Sequence, residues 1–319
     1  MHGGGERGQL DDLEPGVRQF QQRVAADYHR LSDGGTPDIH ERRRVAELVR
    51  RPWAKGGPEM ADVRDLRAGE RQVAVRIYRP TSDPRLPALI YIHGGGWMLF
   101  SVDTHDRLMR EYAARARVNV IGVDYSLAPE ARFPHPVLEA VDVVRWVRWE
   151  LDSGLLAPAA LAIGGDSAGA NLAVAANLAL RDAGEPVLDA ALLNYGAFDC
   201  ERRSSHDRYG GPSYTLTPGE MDEFWEAYVP SGERFNPLAR PLLADLTGLP
   251  PTFLCVAECD ILADENQEMA RRLQAAGVPT TVGSYPGATH SFLEAVSVSP
   301  LADRAIDDAA SWLSKVLAR

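Results

Sequence analysis

The pentapeptide Gly165-Asp166-Ser167-Ala168-Gly169 constrains this chain more than any other segment, because of what flanks it. An apolar run, Leu161 to Gly164, leads into it, and an alanine- and leucine-rich run, Ala168 to Ala183, leads out. The G-x-S-x-G pattern therefore sits where a strand turns into a helix, the setting of a nucleophile elbow. The flanking glycines answer a steric demand: side chains would clash in so tight a turn, and the serine is forced into a strained backbone conformation. Its Oγ is then presented at a helix N-terminus, where N–H groups and the helix dipole favour developing negative charge.

The rest of the chain agrees with that turn. From Val63 onward, strand patterns alternate with helix patterns, which is the signature of a mostly parallel sheet covered on both faces. Val73 to Arg79 alternates with period two, and apolar runs follow at Ala88 to Ile92, Val118 to Val123, Leu161 to Gly164, Ala190 to Tyr195, Thr252 to Ala257 and Thr280 to Tyr285. Helices are predicted at Asp106 to Arg115, Val137 to Leu151, Ala168 to Ala183, Asp264 to Ala276 and Ala302 to Leu317. Ahead of this core, residues 1–60 hold two helical patterns, Leu13 to Leu31 and Pro37 to Arg51, broken at Ser32-Asp33-Gly34-Gly35. One polar stretch, 200–233, interrupts the rhythm; in it Thr217-Pro218-Gly219-Glu220 reads as a capping box before an aromatic helix, Met221 to Val229. The expected division is thus N-terminal cap helices in 1–60, with about the first ten residues disordered, a core in 61–199 and 234–319, and a cap insert in 200–233. Insert and N-terminal helices would lie over the carboxyl ends of the strands, where open α/β sheets bind ligands.

Composition bounds the partners. A net charge of −11 argues against nucleic acid and anionic membranes, since both select cationic surfaces, and points to a small molecule. No run approaches the roughly 18 apolar residues of a membrane span, and no signal-peptide core is present, so a cytoplasmic protein is expected. Cys200, Cys255 and Cys259 are read as reduced core residues; Cys255 and Cys259 lack the second ligand pair of a structural zinc site, so no metal is expected.

After the strand Ala88 to Ile92 comes His93-Gly94-Gly95-Gly96-Trp97. Bare backbone there can approach a substrate oxygen, and preorganised N–H donors stabilise the oxyanion of acyl transfer. The N–H groups of Gly95, Gly96 and Ala168 are assigned to that task. His2-Gly3-Gly4-Gly5 repeats the letters without a preceding strand and fails the context test. Of eight histidines only His206 and His290 follow Ser167, as the order serine, acid, histidine requires. His206 lies in the insert, whereas His290 follows the last strand, so His290 is the expected general base. The acid that orients it should end a strand. Asp260 ends the run Pro251 to Cys259 and is favoured; Asp199, after the strand Ala190 to Tyr195, competes, and Glu258 does so more weakly.

Taken together the chain resembles the bacterial hormone-sensitive-lipase family of esterases. The resemblance is carried by the His93 to Trp97 segment, Tyr125-Ser126-Leu127-Ala128-Pro129-Glu130, Gly165 to Gly169, Asp260-x-Leu262-x-Asp264-Glu265 and His290-x-Phe292, in order across residues 60–319. It implies an α/β-hydrolase fold with an eight-stranded sheet and a helical cap, hydrolysis of short acyl esters without cofactor or metal, and often a homodimer. By the same resemblance Asp166, with His93 and Gly94, would brace the glycine loop. Ile261 stands where the family usually has proline, and Gly196 follows Tyr195 where it usually has Tyr-Pro. The first departure could shift the loop carrying Asp260, the second the substrate preference. Trp97, Met98, Phe198, Phe224, Trp225 and Tyr228 are candidate pocket residues. The same machinery would serve amide, lactone or carbamate cleavage or acyl transfer, because fold and triad do not fix the leaving group. A non-catalytic ligand receptor on the same scaffold is the reading from another class.

Overall fold

Runs such as Ala88–Ile92 and Ala190–Asn194 have no polar face to give to water, so they are buried on both sides as central strands between layers of helices. The structure, a computed structural model, describes residues 12–32, 37–149 and 154–318. The expected disorder of about the first ten residues, the His2 to Gly5 segment and most of the break at Ser32 to Gly35 fall outside the described residues. Among the described residues a single sheet of eight strands forms: β1 (Asp62–Ala68), β2 (Val73–Arg79), β3 (Ala88–Ile92), β4 (Asn119–Asp124), β5 (Leu161–Asp166), β6 (Ala190–Asn194), β7 (Thr252–Cys259) and β8 (Thr280–Thr289). Their order is β1-β2-β4-β3-β5-β6-β7-β8. β2 runs antiparallel to both of its neighbours, and the pairs from β4 through β8 are parallel.

The helices are α1 (Pro15–Leu31), α2 (Ile39–Arg50), α3 (Asp106–Ala116), α4 (His135–Trp149), α5 (Ala168–Asp182), α6 (Ser204–Tyr209), α7 (Pro218–Tyr228), α8 (Ala263–Ala275) and α9 (Pro300–Leu317). α5 is buried along almost its whole length, which is why it is built from alanine and leucine with so few charges. α7 begins with the capping box read from the sequence: the Thr217 side chain accepts from the Glu220 N–H, and the Glu220 carboxylate accepts from the Thr217 N–H. Two elements escaped the periodicity. β1 carries charges at Asp62, Arg64, Asp65 and Arg67 along an exposed edge and buries only Ala68, and α6 is too short to show a helical period.

Register sets the site. Ile92 pairs with Gly165, so the loop leaving β3 and the turn leaving β5 emerge side by side. After a register shift, Cys259 pairs with Thr289, and the next residues of β7 and β8 are Asp260 and His290. Four loops thus converge on one carboxyl edge of the sheet, the edge at which such sheets bind ligands. Above it, α1 and α2 meet the 200–233 insert: Gln21 Nε2 donates to the Ser213 carbonyl, and Arg42 of α2 pairs with Glu223 of α7.

Candidate active site

Ser167 leaves β5 at φ 52°, ψ −118°, a conformation that L-residues avoid and that costs on the order of 1–3 kcal/mol where the surroundings hold it. Here they do: the Ser167 N–H donates to the Asn194 carbonyl at 2.9 Å, and its own carbonyl accepts from Ala197 and Asn171, both at 3.2 Å. The glycines on either side are required by close approach. A Cβ on Gly169 would stand 1.9 Å from the Ile92 carbonyl oxygen, and one on Gly165 2.3 Å from the same atom.

His290 Nε2 lies 3.0 Å from Ser167 Oγ, and its Nδ1 lies 2.7 Å from Asp260 Oδ2. The other Asp260 oxygen accepts the Leu262 N–H at 3.0 Å, so the carboxylate is held from both sides. All three side chains are buried. The competitors are otherwise engaged. Asp199 Oδ1 accepts from Arg240 at 2.6 Å and its Oδ2 from Arg203 at 2.6 Å, while Glu258 accepts the Gly287 N–H at 3.0 Å. His206 Nδ1 accepts the Arg203 N–H at the start of α6.

The glycine loop faces this trio. Gly95 and Gly96 take φ of +109° and +58°, and Gly95 could carry no side chain, since a Cβ would meet the Leu99 carbonyl oxygen at 2.2 Å. Among the described residues none accepts a hydrogen bond from the N–H of Gly95, Gly96 or Ala168, so these three donors are free for a ligand. Asp166 braces the loop from below. It accepts from the Tyr91 hydroxyl at 2.9 Å and the Gly94 N–H at 3.2 Å, and its other oxygen lies 3.3 Å from His105 Nε2. His93 donates from Nδ1 to the Gly94 carbonyl at 2.7 Å and stacks on Tyr125; burial first, and then the His105 charge, push it down to about 3, so it stays neutral.

Burial by itself drives the Asp166 carboxyl upward, but the His105 charge and hydrogen bond, the Tyr91 hydroxyl and His93 together leave it below its ordinary range. His105 is driven down by burial, yet the Asp166 charge and hydrogen bond, with Glu294 adding to them against Arg50, leave it raised. Both are therefore charged in the interval between their unfolded values, from about pH 4 to about pH 6.5. Asp166 stabilises the fold above the unfolded carboxylate value of about 3.9 and loses that contribution as pH falls through its depressed value. His105 contributes below the unfolded imidazole value of about 6.5 and loses it as pH rises through its raised value. The gap in Tm between the wild type and Asp166→Asn is accordingly expected to be widest at about pH 5–6 and to narrow toward both acid and alkali. A gap that does not change between about pH 4 and 9 would contradict the ion pair.

A cavity of about 390 Å3 opens over Ser167 and His290. Its walls come from Val24 and Tyr28 of α1, Leu99 and Phe100 after the glycine loop, and Leu216 and Phe224 of the insert. Of the six candidate pocket residues only Phe224 lies on this wall, and the other five are corrected. Trp97 stacks on Tyr228 at 4.4 Å and meets Trp225 at 4.6 Å, and with Met98 and Phe198 they fill the core beneath α7. The reason is amphipathicity: the aromatic face of α7 turns to the sheet, and only its edge reaches the cavity. The wall residues Gln21, Tyr28 and Arg50 went unread, because placing the first two helices over the strand ends does not say which of their side chains face Ser167.

A family model described as alpha/beta hydrolase fold matches residues 89–294. The acetyl esterase of Salmonella paratyphi A is 35% identical over 310 residues, spanning 95% of this chain and 94% of its own length. This chain belongs to the hormone-sensitive-lipase family of α/β-hydrolase esterases. Among solved structures, an esterase of Pyrobaculum calidifontis superposes with a TM-score of 0.86 at 33% identity, covering 95% of this chain and 98% of that one. A serine-to-alanine mutant of an α/β-hydrolase enzyme from the metagenome of Lake Arreo, Spain, gives 0.88 at 34% identity, covering 97% and 100%.

As a member of the hormone-sensitive-lipase family the chain departs from the usual pattern at two points, and both have physical accounts. Ile261 is buried in the core, its carbonyl accepting the Ser205 hydroxyl, and Asp260 still reaches His290. Gly196 is demanded by its neighbours: its N–H donates to Asn266 Oδ1 at 2.9 Å, which proline could not do, and a Cβ would meet the Phe198 ring at 2.2 Å. Among the described residues no cluster of three or more His, Cys, Asp or Glu is placed to hold a metal ion, and no helix is long and apolar enough to cross a membrane.

Proposed function

We propose that this ester hydrolase is a serine carboxylesterase acting on short-chain acyl esters through an acyl-enzyme, with Ser167 as nucleophile, His290 as general base and Asp260 as the orienting acid. The reading rests on one observation, the continuous chain from Ser167 Oγ through both His290 nitrogens to Asp260. In the first half-reaction His290 Nε2 takes the Ser167 proton as Oγ bonds to the ester carbonyl carbon. The carbonyl oxygen becomes anionic and is received by the N–H groups of Gly95, Gly96 and Ala168. Asp260 holds the Nδ1–H tautomer and stabilises the imidazolium. Collapse of the intermediate breaks the bond to the alcohol, which leaves with the proton from His290. Water then repeats the sequence on the acyl-serine, releasing the acid and restoring the serine. The atoms balance without a cofactor.

The acetyl esterase relative supports a short acyl group, and α1, α2 and the 200–233 insert serve as the cap that shields the intermediate from bulk water. The test is kcat/KM on p-nitrophenyl esters with acyl chains of two to twelve carbons, beside a matched anilide. The expected profile peaks at the short end, with the ester faster than the anilide. A faster anilide would replace the reading by amide hydrolysis, and a maximum at the longest chains would overturn the short-acyl assignment.

A further inference from the structure

The cavity over Ser167 contains a buried cation that ester hydrolysis does not use. Arg50, the last residue of α2, is 4% exposed and shares the cavity wall with Ser167 and His290. Its guanidinium carbon lies 5.4 Å from the ring centre of Phe20 and 5.1 Å from that of Phe100, contacts that favour the charge but leave the N–H groups without acceptors. Nε and Nη1 are buried with no hydrogen-bond partner, and the Arg50 side chain lines the cavity. Glu294 Oε2 stands 3.3 Å from Nε and also makes no hydrogen bond. Burial pushes the Glu294 carboxyl up against the pull of Arg50 and His105. Close by on the same wall, Gln21 Oε1 is buried and unpartnered as well.

A buried guanidinium short of acceptors is costly until an oxygen occupies the space before it. Charge-assisted hydrogen bonds from arginine to carboxylate or carbonyl oxygen are among the strongest in proteins, and the low dielectric of a buried site strengthens them. We propose that Arg50 is a specificity-determining residue, and that the preferred substrates are esters carrying a second oxygen acceptor, a carboxylate or a carbonyl remote from the scissile bond, which hydrogen-bonds the Arg50 guanidinium. The proposal rests on the reading of Ser167 as nucleophile in the same cavity and extends it to the class of ester.

The test measures hydrolysis of two matched pairs by pH-stat. Ethyl pentanoate against monoethyl glutarate places the carboxylate on the acyl side, and ethyl butanoate against carboxymethyl butanoate places it on the alcohol side. In one pair, the ratio of kcat/KM for the carboxylated ester to that for the neutral ester is expected to fall about tenfold or more in Arg50→Met and to recover in part in Arg50→Lys. A ratio unchanged within about twofold in both pairs would overturn the proposal. Should Arg50→Met fail to fold, inhibition of the unaltered enzyme decides: glutarate is expected to compete with ethyl pentanoate more tightly than pentanoate does, and equal or weaker competition overturns the role of Arg50. Absence of ethyl pentanoate hydrolysis by the unaltered enzyme would instead bring down the esterase reading, and this inference with it.

Discussion

Replacing Ser167 with alanine is expected to lower kcat on a short p-nitrophenyl ester by about 10⁴ or more. In the proposed mechanism the hydroxyl is the atom that bonds to the acyl carbon, and among the described residues no other side chain has its hydroxyl at 3.0 Å from His290 Nε2. What survives would come from the free N–H groups of Gly95, Gly96 and Ala168 and from the cavity, which still bind and polarise the ester for attack by water. The substitution tests chemistry rather than folding, because the strained backbone at φ 52° is held by main-chain bonds to Asn194, Ala197 and Asn171 that alanine keeps. A fluorophosphonate should label the wild type once and leave Ser167→Ala unmarked, with Tm nearly unchanged. Full turnover by the variant, or labelling at another residue, would remove Ser167 from the mechanism.

The second large effect belongs to Asp260. Asp260→Asn is expected to reduce kcat by about 10⁴, because an amide presents either a weaker acceptor or a donor to His290 Nδ1 and so favours the tautomer that cannot take the serine proton. The loss should appear in kcat far more than in KM, since the carboxylate does not line the cavity. Asp199→Asn is the control that distinguishes the two acids. Asp199 is ion-paired with Arg240 and Arg203, so its replacement should lower Tm by leaving buried guanidinium groups underpaired while turnover of the folded enzyme persists. The reverse outcome, activity lost with Asp199 and kept with Asp260, would transfer the acid role to the end of β6.

Much of this was legible in the sequence, for identifiable reasons. The elbow could be read because its demands are local: a strand, a turn with no room for Cβ atoms and a helix follow one another within a few residues. His290 could be read because chain order leaves only two histidines after Ser167, one of them in an insert. Asp260 was harder, since Asp199 also follows a strand; the choice turns on which carboxylate two arginines neutralise, and those arginines are the N-cap of α6 and a residue of the segment before β7. β1 escaped because an edge strand needs little apolar surface, so its charged sequence carried no period.

The pocket marks the limit of such reading. Trp97, Trp225 and Tyr228 are as aromatic as a substrate wall, but they stack on one another in the core, and composition cannot tell those fates apart. Arg50 sits in an arginine-rich helix that reads as an ordinary solvated surface, and His105 belongs to no motif of the sequence. Each gained its meaning from a partner far along the chain, Arg50 from Glu294 and His105 from Asp166. By itself the sequence determined the fold class and the tight serine turn, because these follow from steric and periodic demands between near neighbours. Only the tertiary structure decided which carboxylate reaches His290, which aromatics face the substrate and that a cation waits in the cavity, because those depend on strand register and on helices folding back across the sheet edge.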